Sequence, residues 1–105
     1  MKLFVYGSLR KRRDNYNKMK KATFLFNAIT KDKYKKDNNF FFSYLLFDIK
    51  EKQIEGEVFE ISDELLKKID VFEDGFKRKN ILILNKETNN EENIDCYFLD
   101  DLSLR

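Results

Sequence analysis

The amino-acid sequence predicts an α+β fold, because several short β-rich segments surround one segment with helical periodicity. The chain has 105 residues, the size of one domain, and we expect a single domain over residues 1–105. Hydrophobic residues make up 42% of the chain, with 11 Phe and 5 Tyr. A packed core is therefore expected, although 38% of the residues are charged.

Six apolar segments of strand length are separated by polar or glycine-containing stretches. Gly56 lies inside one of these segments, Glu55–Ile61, and a glycine there indicates a bulge or a close approach of another backbone. Clusters of Lys and Asn at 31–39 and 85–93 are predicted to be polar loops. The predicted strands are Leu3–Tyr6, Ala22–Thr30, Phe40–Phe47, Glu55–Ile61, Lys79–Leu84 and Ile94–Leu99.

The main helix is predicted between Ser62 and Gly75, and a shorter one around Asn15–Lys20. Ser62 is a candidate N-cap, and the helix dipole favours the two acidic residues that follow it. Gly75 provides a stop signal. On a helical wheel drawn at roughly 100° per residue, one arc holds the apolar side chains Leu65, Leu66, Ile69 and Phe72.

Glu73 falls inside this apolar arc, and Asp70 falls just outside it. If the helix continues to Glu73, burial and the negative end of the dipole should raise the pKa of its carboxyl, as general acid–base chemistry near neutral pH requires. If the helix ends earlier, Glu73 turns to solvent. The pattern alone favours the second interpretation, because charged residues are rarely buried.

The composition excludes several kinds of site. The chain has no His and a single Cys, Cys96, which rules out an internal disulfide, a multi-Cys zinc site and Ser-His-Asp or Cys-His catalysis. Acid–base catalysis would have to use Asp, Glu, Lys or Tyr. We expect no metal and no cofactor, and we expect Cys96 to be an inert core residue.

No apolar run approaches the roughly 20 residues of a membrane span, and the N-terminus lacks the apolar stretch of a signal peptide. These features and the lone thiol predict a cytoplasmic protein without a membrane partner. Residues 1–50 hold 13 Lys/Arg and 4 Asp/Glu, whereas residues 51–105 hold 8 and 15. This asymmetry can mark a nucleic-acid surface. We favour the alternative that the fold mixes the charges of both halves.

A glycine turn is predicted directly after the first strand, at Tyr6-Gly7-Ser8-Leu9. Gly7 can adopt a positive φ, and successive backbone N–H groups in such a turn can bind an anion such as a substrate carboxylate. A turn of this composition is more often only a connection. It is not a P-loop, because no Gly-Lys-Ser/Thr follows.

The sequence resembles the gamma-glutamyl cyclotransferase-like family at both of these places. Residues 3–10, Leu-Phe-Val-Tyr-Gly-Ser-Leu-Arg, resemble the opening of that family, and residues 69–73, Ile-Asp-Val-Phe-Glu, match its later motif Leu/Ile-Asp-x-x-Glu. Arg78 resembles an arginine that follows a tyrosine in the family, and residues 96–98 resemble the final strand. Phe76 stands where that tyrosine is usual, and Lys11-Arg12-Arg13 replace a glycine.

The resemblance implies a small α+β fold with a mixed, barrel-like sheet and one main helix. It implies that Tyr6, Gly7, Ser8 and Leu9 bind a small gamma-glutamyl substrate and that Glu73 is the catalytic acid–base. The expected reaction is attack of the substrate α-amino group on its own γ-carbonyl, which releases 5-oxoproline. We expect Arg78 to pair with a carboxylate such as Asp70. The sequence leaves the departing amine and the oligomeric state open.

Two rival functions follow from the same residues. A catalytically silent family member would bind a small acidic ligand or a protein, and the changes at Phe76 and residues 11–13 favour it. A nucleic-acid-binding domain would use the basic segment from Arg10 to Lys21, with affinity that falls steeply with salt. We rank the enzyme first, the silent binder second and the nucleic-acid binder last.

Overall fold

Five strands close into a barrel, and a two-stranded sheet lies beside them. The computed structural model describes residues 1–7, 9–10, 16–38 and 43–99. Around the barrel the order is β1-β5-β2-β6-β7, and β3 pairs with β4. The strands are β1 Lys2–Val5, β2 Thr23–Thr30, β3 Lys35–Asn38, β4 Ser43–Leu46, β5 Glu55–Glu60, β6 Phe76–Asn85 and β7 Glu91–Leu99, with a 3₁₀ turn at Tyr16–Met19 and the helix α1 at Asp63–Phe72.

The barrel closes through a parallel pair of its first and last strands. Phe4 of β1 lies opposite Cys96 of β7, whereas every other pair in the barrel is antiparallel. The predicted α+β class with a mixed, barrel-like sheet and one main helix is therefore confirmed. Closure also places the end of β1 beside the end of β7, although β1 is the first strand in the sequence and β7 is the last.

Alternating side chains of the strands form two cores. The first, which we call the interior core, receives Phe4, Val58, Ile83 and Phe98 from four barrel strands and so fills the barrel. The second, which we call the helix-side core, lies between the barrel and α1. It comprises Leu3, Val5, Leu9, Met19, Phe59, Ile61, Leu65, Leu66, Ile69 and Tyr97.

The helix begins as predicted, with Ser62 as its N-cap. The Ser62 hydroxyl accepts a hydrogen bond of 3.1 Å from the backbone N–H of Leu65. Leu65, Leu66 and Ile69 are buried, but the expectation that Phe72 shares their buried face is wrong, since Phe72 is 40% exposed. It is the last helical residue, and its ring lies 4.5 Å from the ammonium of Lys18.

The strand predictions are confirmed in place, with differences at their ends and in the loops. Residues 31–39 were expected to form a loop, yet Lys35–Asn38 is strand β3, because these polar residues pair with β4. The predicted loop at 85–93 is shorter than expected, since β7 already begins at Glu91. Residues 40–42 of the predicted strand 40–47 lie outside the described residues. So does Asn15 of the short helix predicted at Asn15–Lys20, and the 3₁₀ turn occupies Tyr16–Met19 of that segment.

Charges from the two halves of the chain mix, as we favoured. Lys2 pairs with Glu92 at 2.8 Å, and Lys31 pairs with Glu91 at 2.7 Å. Residues 11–15 of the basic segment lie outside the described part of the chain. Within the described ranges, no helix has both the length and the apolar character needed to cross a bilayer.

Candidate active site

The turn after β1 is held by Arg10 and Leu9. The carbonyl oxygen of Gly7 accepts hydrogen bonds from the backbone N–H of Arg10 at 3.1 Å and from its Nε at 3.3 Å. The Leu9 side chain is buried in the helix-side core, so it anchors the turn. Ser8, the third predicted substrate-binding residue, lies outside the described residues.

Tyr6 begins the turn and is buried in the interior core. Its hydroxyl donates a 2.8 Å hydrogen bond to the carbonyl oxygen of Tyr97 and interacts with the backbone of Leu45. Its own carbonyl oxygen accepts a 3.2 Å hydrogen bond from the ammonium of Lys36. Burial raises the pKa of the Tyr6 phenol well above its ordinary value, so the phenol stays protonated and cannot be a base at neutral pH.

Glu73 follows the last residue of α1 and remains tied to the helix. Its backbone N–H donates a 2.8 Å hydrogen bond to the carbonyl oxygen of Ile69. The helix thus ends before Glu73, but the side chain is half-buried instead of turned fully to solvent. Burial raises the pKa of the Glu73 carboxyl from 4.5 to about 7.

The carboxylate of Glu73 lies within electrostatic reach of the turn. Its negative charge contributes to the raised pKa values of Tyr6, Cys96 and Tyr97. The residue that follows the helix and the residue that begins the turn therefore interact electrostatically. A carboxyl group that titrates near neutral pH can both accept and donate a proton under cellular conditions.

Asp70, one helical turn before Glu73, joins α1 to two strands of the barrel. It accepts hydrogen bonds from Nε and Nη2 of Arg78, at 2.8 and 3.2 Å, which confirms the predicted pairing. It also accepts a short hydrogen bond from the hydroxyl of Tyr97. Nη1 of Arg78 also donates a hydrogen bond of 2.8 Å to the carboxylate of Asp95. These contacts attach the C-terminal end of the helix to β6 and β7.

Cys96 is completely buried in the interior core. Burial raises the pKa of its thiol well above the ordinary value, so the thiol is protonated and a poor nucleophile. The expectation of an inert core cysteine fits this environment. Across the described residues, no cluster of three or more His, Cys, Asp or Glu side chains could hold a metal ion.

A polar cleft of about 280 Å³ lies next to the turn. Arg10 contributes both to this cleft and to the hydrogen bonds on Gly7. Lys86 and Glu55 form a 2.7 Å ion pair at its wall. Its lining is Arg10, Asn27, Ala28, Glu55, Gly56, Glu57, Lys86 and Glu87. Arg10 thus connects the turn to a charged surface depression.

Three residues that contact Tyr6 or Asp70 were not predicted as part of the site, namely Lys36, Leu45 and Tyr97. Lys36 lies on β3, in a segment that was interpreted as a loop because it is polar. Leu45 and Tyr97 lie in predicted strands, but strand pattern does not show which backbone a side chain will meet. Sequence pattern therefore contains no direct signal for these contacts.

Comparison with known proteins identifies relatives over most of the chain. The family model described as gamma-glutamyl cyclotransferase, AIG2-like, matches residues 3–104. The protein named "Putative gamma-glutamylcyclotransferase MJ1514" of Methanocaldococcus jannaschii is 37% identical over 86 residues, which are 78% of this chain and 71% of that protein.

Two solved structures share the fold. The crystal structure of a mouse AIG2-like protein has a TM-score of 0.84 and 20% identity, and the match covers 98% of this chain and 81% of that one. The crystal structure of YkqA from Bacillus subtilis has a TM-score of 0.78 and 26% identity, over 94% of this chain and 35% of that longer one.

Proposed function

Because the chain belongs to the gamma-glutamyl cyclotransferase, AIG2-like family, we propose that it releases 5-oxoproline from a gamma-glutamyl amine or peptide. Glu73 acts as the general acid–base in this proposal. The observation that supports it most strongly is the position of Glu73: the carboxyl is half-buried, its pKa is raised to about 7, and its charge reaches Tyr6 of the turn.

The reaction is an intramolecular acyl transfer. The substrate α-ammonium gives one proton to the Glu73 carboxylate, and the resulting amine attacks the γ-carbonyl carbon. A new C–N bond closes the five-membered ring, Glu73 returns its proton to the leaving nitrogen, and the old bond from the γ-carbon to that nitrogen breaks. The ring nitrogen then gives up its second proton, which Glu73 passes to the departing amine, so that 5-oxoproline leaves as a neutral lactam and the amine leaves as an ammonium. Because both reacting groups belong to one molecule, the protein needs only to fold the substrate and move protons. Each assisted proton transfer contributes typically about 10²–10⁴-fold in rate.

The turn supplies the second part of the proposed site. Backbone N–H groups at Gly7, Ser8 and Leu9 would hold the substrate α-carboxylate or the oxyanion that develops on the γ-carbonyl. The Tyr6 hydroxyl donates its hydrogen bond to the carbonyl oxygen of Tyr97, so in this proposal Tyr6 holds the start of the turn and does not transfer protons. Gly7 leaves room for a ligand to approach the backbone.

The decisive experiment measures 5-oxoproline released from a panel of gamma-glutamyl amines and dipeptides. We expect release by the wild type and a loss of at least about 10²-fold in kcat for Glu73→Gln. The matched control is Glu64→Gln, which removes an exposed carboxylate from the same helix. Equal activity of wild type and Glu73→Gln would show that Glu73 is not the acid–base.

One feature favours the rival function of a silent binder. Phe76, which stands where the resemblance leads one to expect a tyrosine, is a hydrophobic residue packed against the helix-side core. A site without that phenol could bind a small acidic ligand or a protein without turning it over. No 5-oxoproline from any member of the panel, together with saturable binding of a gamma-glutamyl amine by calorimetry, would support this function.

A further inference from the structure

We propose that Tyr97 is a positioning residue that holds Glu73 opposite the turn at Tyr6-Gly7. This inference rests on the proposed function above, because it assigns a role within the same site. Two groups of Tyr97 support the inference. Its backbone carbonyl contacts the turn through Tyr6, and its phenol contacts the helix through Asp70.

The backbone of Tyr97 holds the turn. The Tyr6 hydroxyl donates its 2.8 Å hydrogen bond to the Tyr97 carbonyl oxygen, and this bond is buried. Tyr6 and Tyr97 are 6% and 4% exposed, so water cannot readily replace the contact. The first residue of the turn is therefore fixed relative to β7.

The phenol of Tyr97 holds the helix. It donates its hydrogen bond to Asp70, whose carboxylate is charged and therefore a strong acceptor. Asp70 precedes Glu73 by one helical turn, and the N–H of Glu73 is bonded to Ile69 inside that same turn. Displacing Asp70 would consequently displace Glu73.

Arg78 does not have the same role, although it also binds Asp70. Its Nη1 bonds to Asp95, and its side chain is 31% exposed, so it links the helix to the outer surface of the barrel. Tyr97 is buried and contacts the turn as well as the helix. The charge of Glu73 also contributes to the raised pKa of the Tyr97 phenol.

Two readouts test this role. The first is kcat and KM for 5-oxoproline release, and the second is the titration of the Glu73 carboxyl followed by carbon-13 NMR in the free protein. For Tyr97→Phe we expect kcat to fall by about 10²-fold with KM nearly unchanged, because a displaced base no longer meets the reacting nitrogen. Water that enters at the loosened end of the helix should stabilise the charged carboxylate. The pH midpoint of the Glu73 titration should therefore fall by about one pH unit.

Tyr16→Phe is the matched control, because Tyr16 packs against the same helix-side core. We expect it to leave both readouts unchanged. Asp70→Asn is the second variant: it weakens the acceptor of the phenol and should move both readouts in the same direction as Tyr97→Phe. If Tyr97→Phe does not fold, Asp70→Asn decides the question.

The outcomes separate this inference from the proposed function. If the wild type releases no 5-oxoproline but Tyr97→Phe shifts the Glu73 titration, the proposed function fails and the positioning role stands. If Tyr97→Phe folds and keeps the wild-type Glu73 titration and kcat, the positioning role is wrong, whatever the activity of Glu73→Gln. The same result for Asp70→Asn overturns the role if Tyr97→Phe does not fold.

Discussion

Gly56 of β5 lies against the backbone of Val5 in β1. A Cβ atom placed on Gly56 would be 2.3 Å from the Val5 carbonyl oxygen and 2.6 Å from the ring of Phe4. Real Cβ atoms do not approach other atoms so closely, and a strand backbone paired on both sides cannot move away easily. The glycine is therefore required by the close approach of β1, directly before the turn that carries Tyr6 and Gly7.

Gly56→Ala should accordingly destabilise the protein. We expect the free energy of unfolding to fall by about 1–3 kcal/mol, the usual cost of inserting a methyl group into a packed core. Urea denaturation measures this, with Val71→Ala as the control, because Val71 is 78% exposed and its truncation should change stability by less than about 0.5 kcal/mol. Equal stability of Gly56→Ala and wild type would show that β1 and β5 are not so tightly packed.

Much of this fold could be predicted from the sequence where one residue pattern determines the structure. The helix is an example, since Ser62 and the spacing of its buried leucines are local signals. Strand β3 could not be predicted, because a polar segment becomes a strand only when a partner strand is available to pair with it. Gly56 indicated either a bulge or a close approach. The close approach is present, and the irregular register lies in β2 between Phe24 and Phe26.

The candidate site was only partly predictable for a similar reason. The helical wheel put Glu73 inside the apolar arc, but the residue pattern alone favoured a carboxyl that turns to solvent, whereas Asp70 was expected to pair with Arg78. The link from Asp70 to Tyr97 depends on barrel closure, which sets β7 beside β1. Contacts of this kind join residues far apart in sequence, so they leave no periodic pattern.

The raised pKa of Glu73 should make stability depend on pH. Between its ordinary pKa of 4.5 and its folded value of about 7, the folded protein holds a proton that the unfolded chain has released. The free energy of unfolding should therefore fall as the pH rises through this window, by roughly 3 kcal/mol from this group. Glu73→Gln cannot titrate and should lack this contribution.

Urea denaturation of wild type and Glu73→Gln at about pH 5 and about pH 8 measures the effect, since other titrating groups cancel in the comparison. We expect the Gln variant to gain stability relative to wild type at the higher pH. Glu64→Gln, on the exposed side of the helix, should show no such gain. A constant difference between wild type and Glu73→Gln across the range would contradict the raised pKa.

Arg78→Gln should destabilise the protein in a salt-dependent manner. The change removes the hydrogen bonds to Asp70 and Asp95 and leaves two carboxylates without their shared cation. Because the group is partly exposed, we expect a loss of about 1 kcal/mol at low salt and a smaller loss at high salt, where the repulsion is screened. Thermal denaturation at both salt concentrations measures this.

The control for that substitution is Lys77→Gln on the same strand, which removes a charge from an exposed position next to Arg78. It should shift the melting temperature little at either salt concentration. A salt-independent loss in Arg78→Gln would indicate that packing of the Arg78 side chain, and not its charge, stabilises this region.

Cys96 should react with thiol reagents only when the barrel opens. Its side chain is fully buried in the interior core, and burial raises the pKa of the thiol. In the native protein a reagent therefore cannot reach the sulfur, and the thiol is not ionised to the reactive thiolate. We expect labelling by an aromatic disulfide reagent to be slow in buffer and to accelerate with urea in parallel with unfolding.

Val71→Cys provides the control within one molecule, because position 71 is 78% exposed and a thiol there should react at once while Cys96 stays protected. If both thiols reacted equally fast in the absence of urea, the interior of the barrel would open without global unfolding.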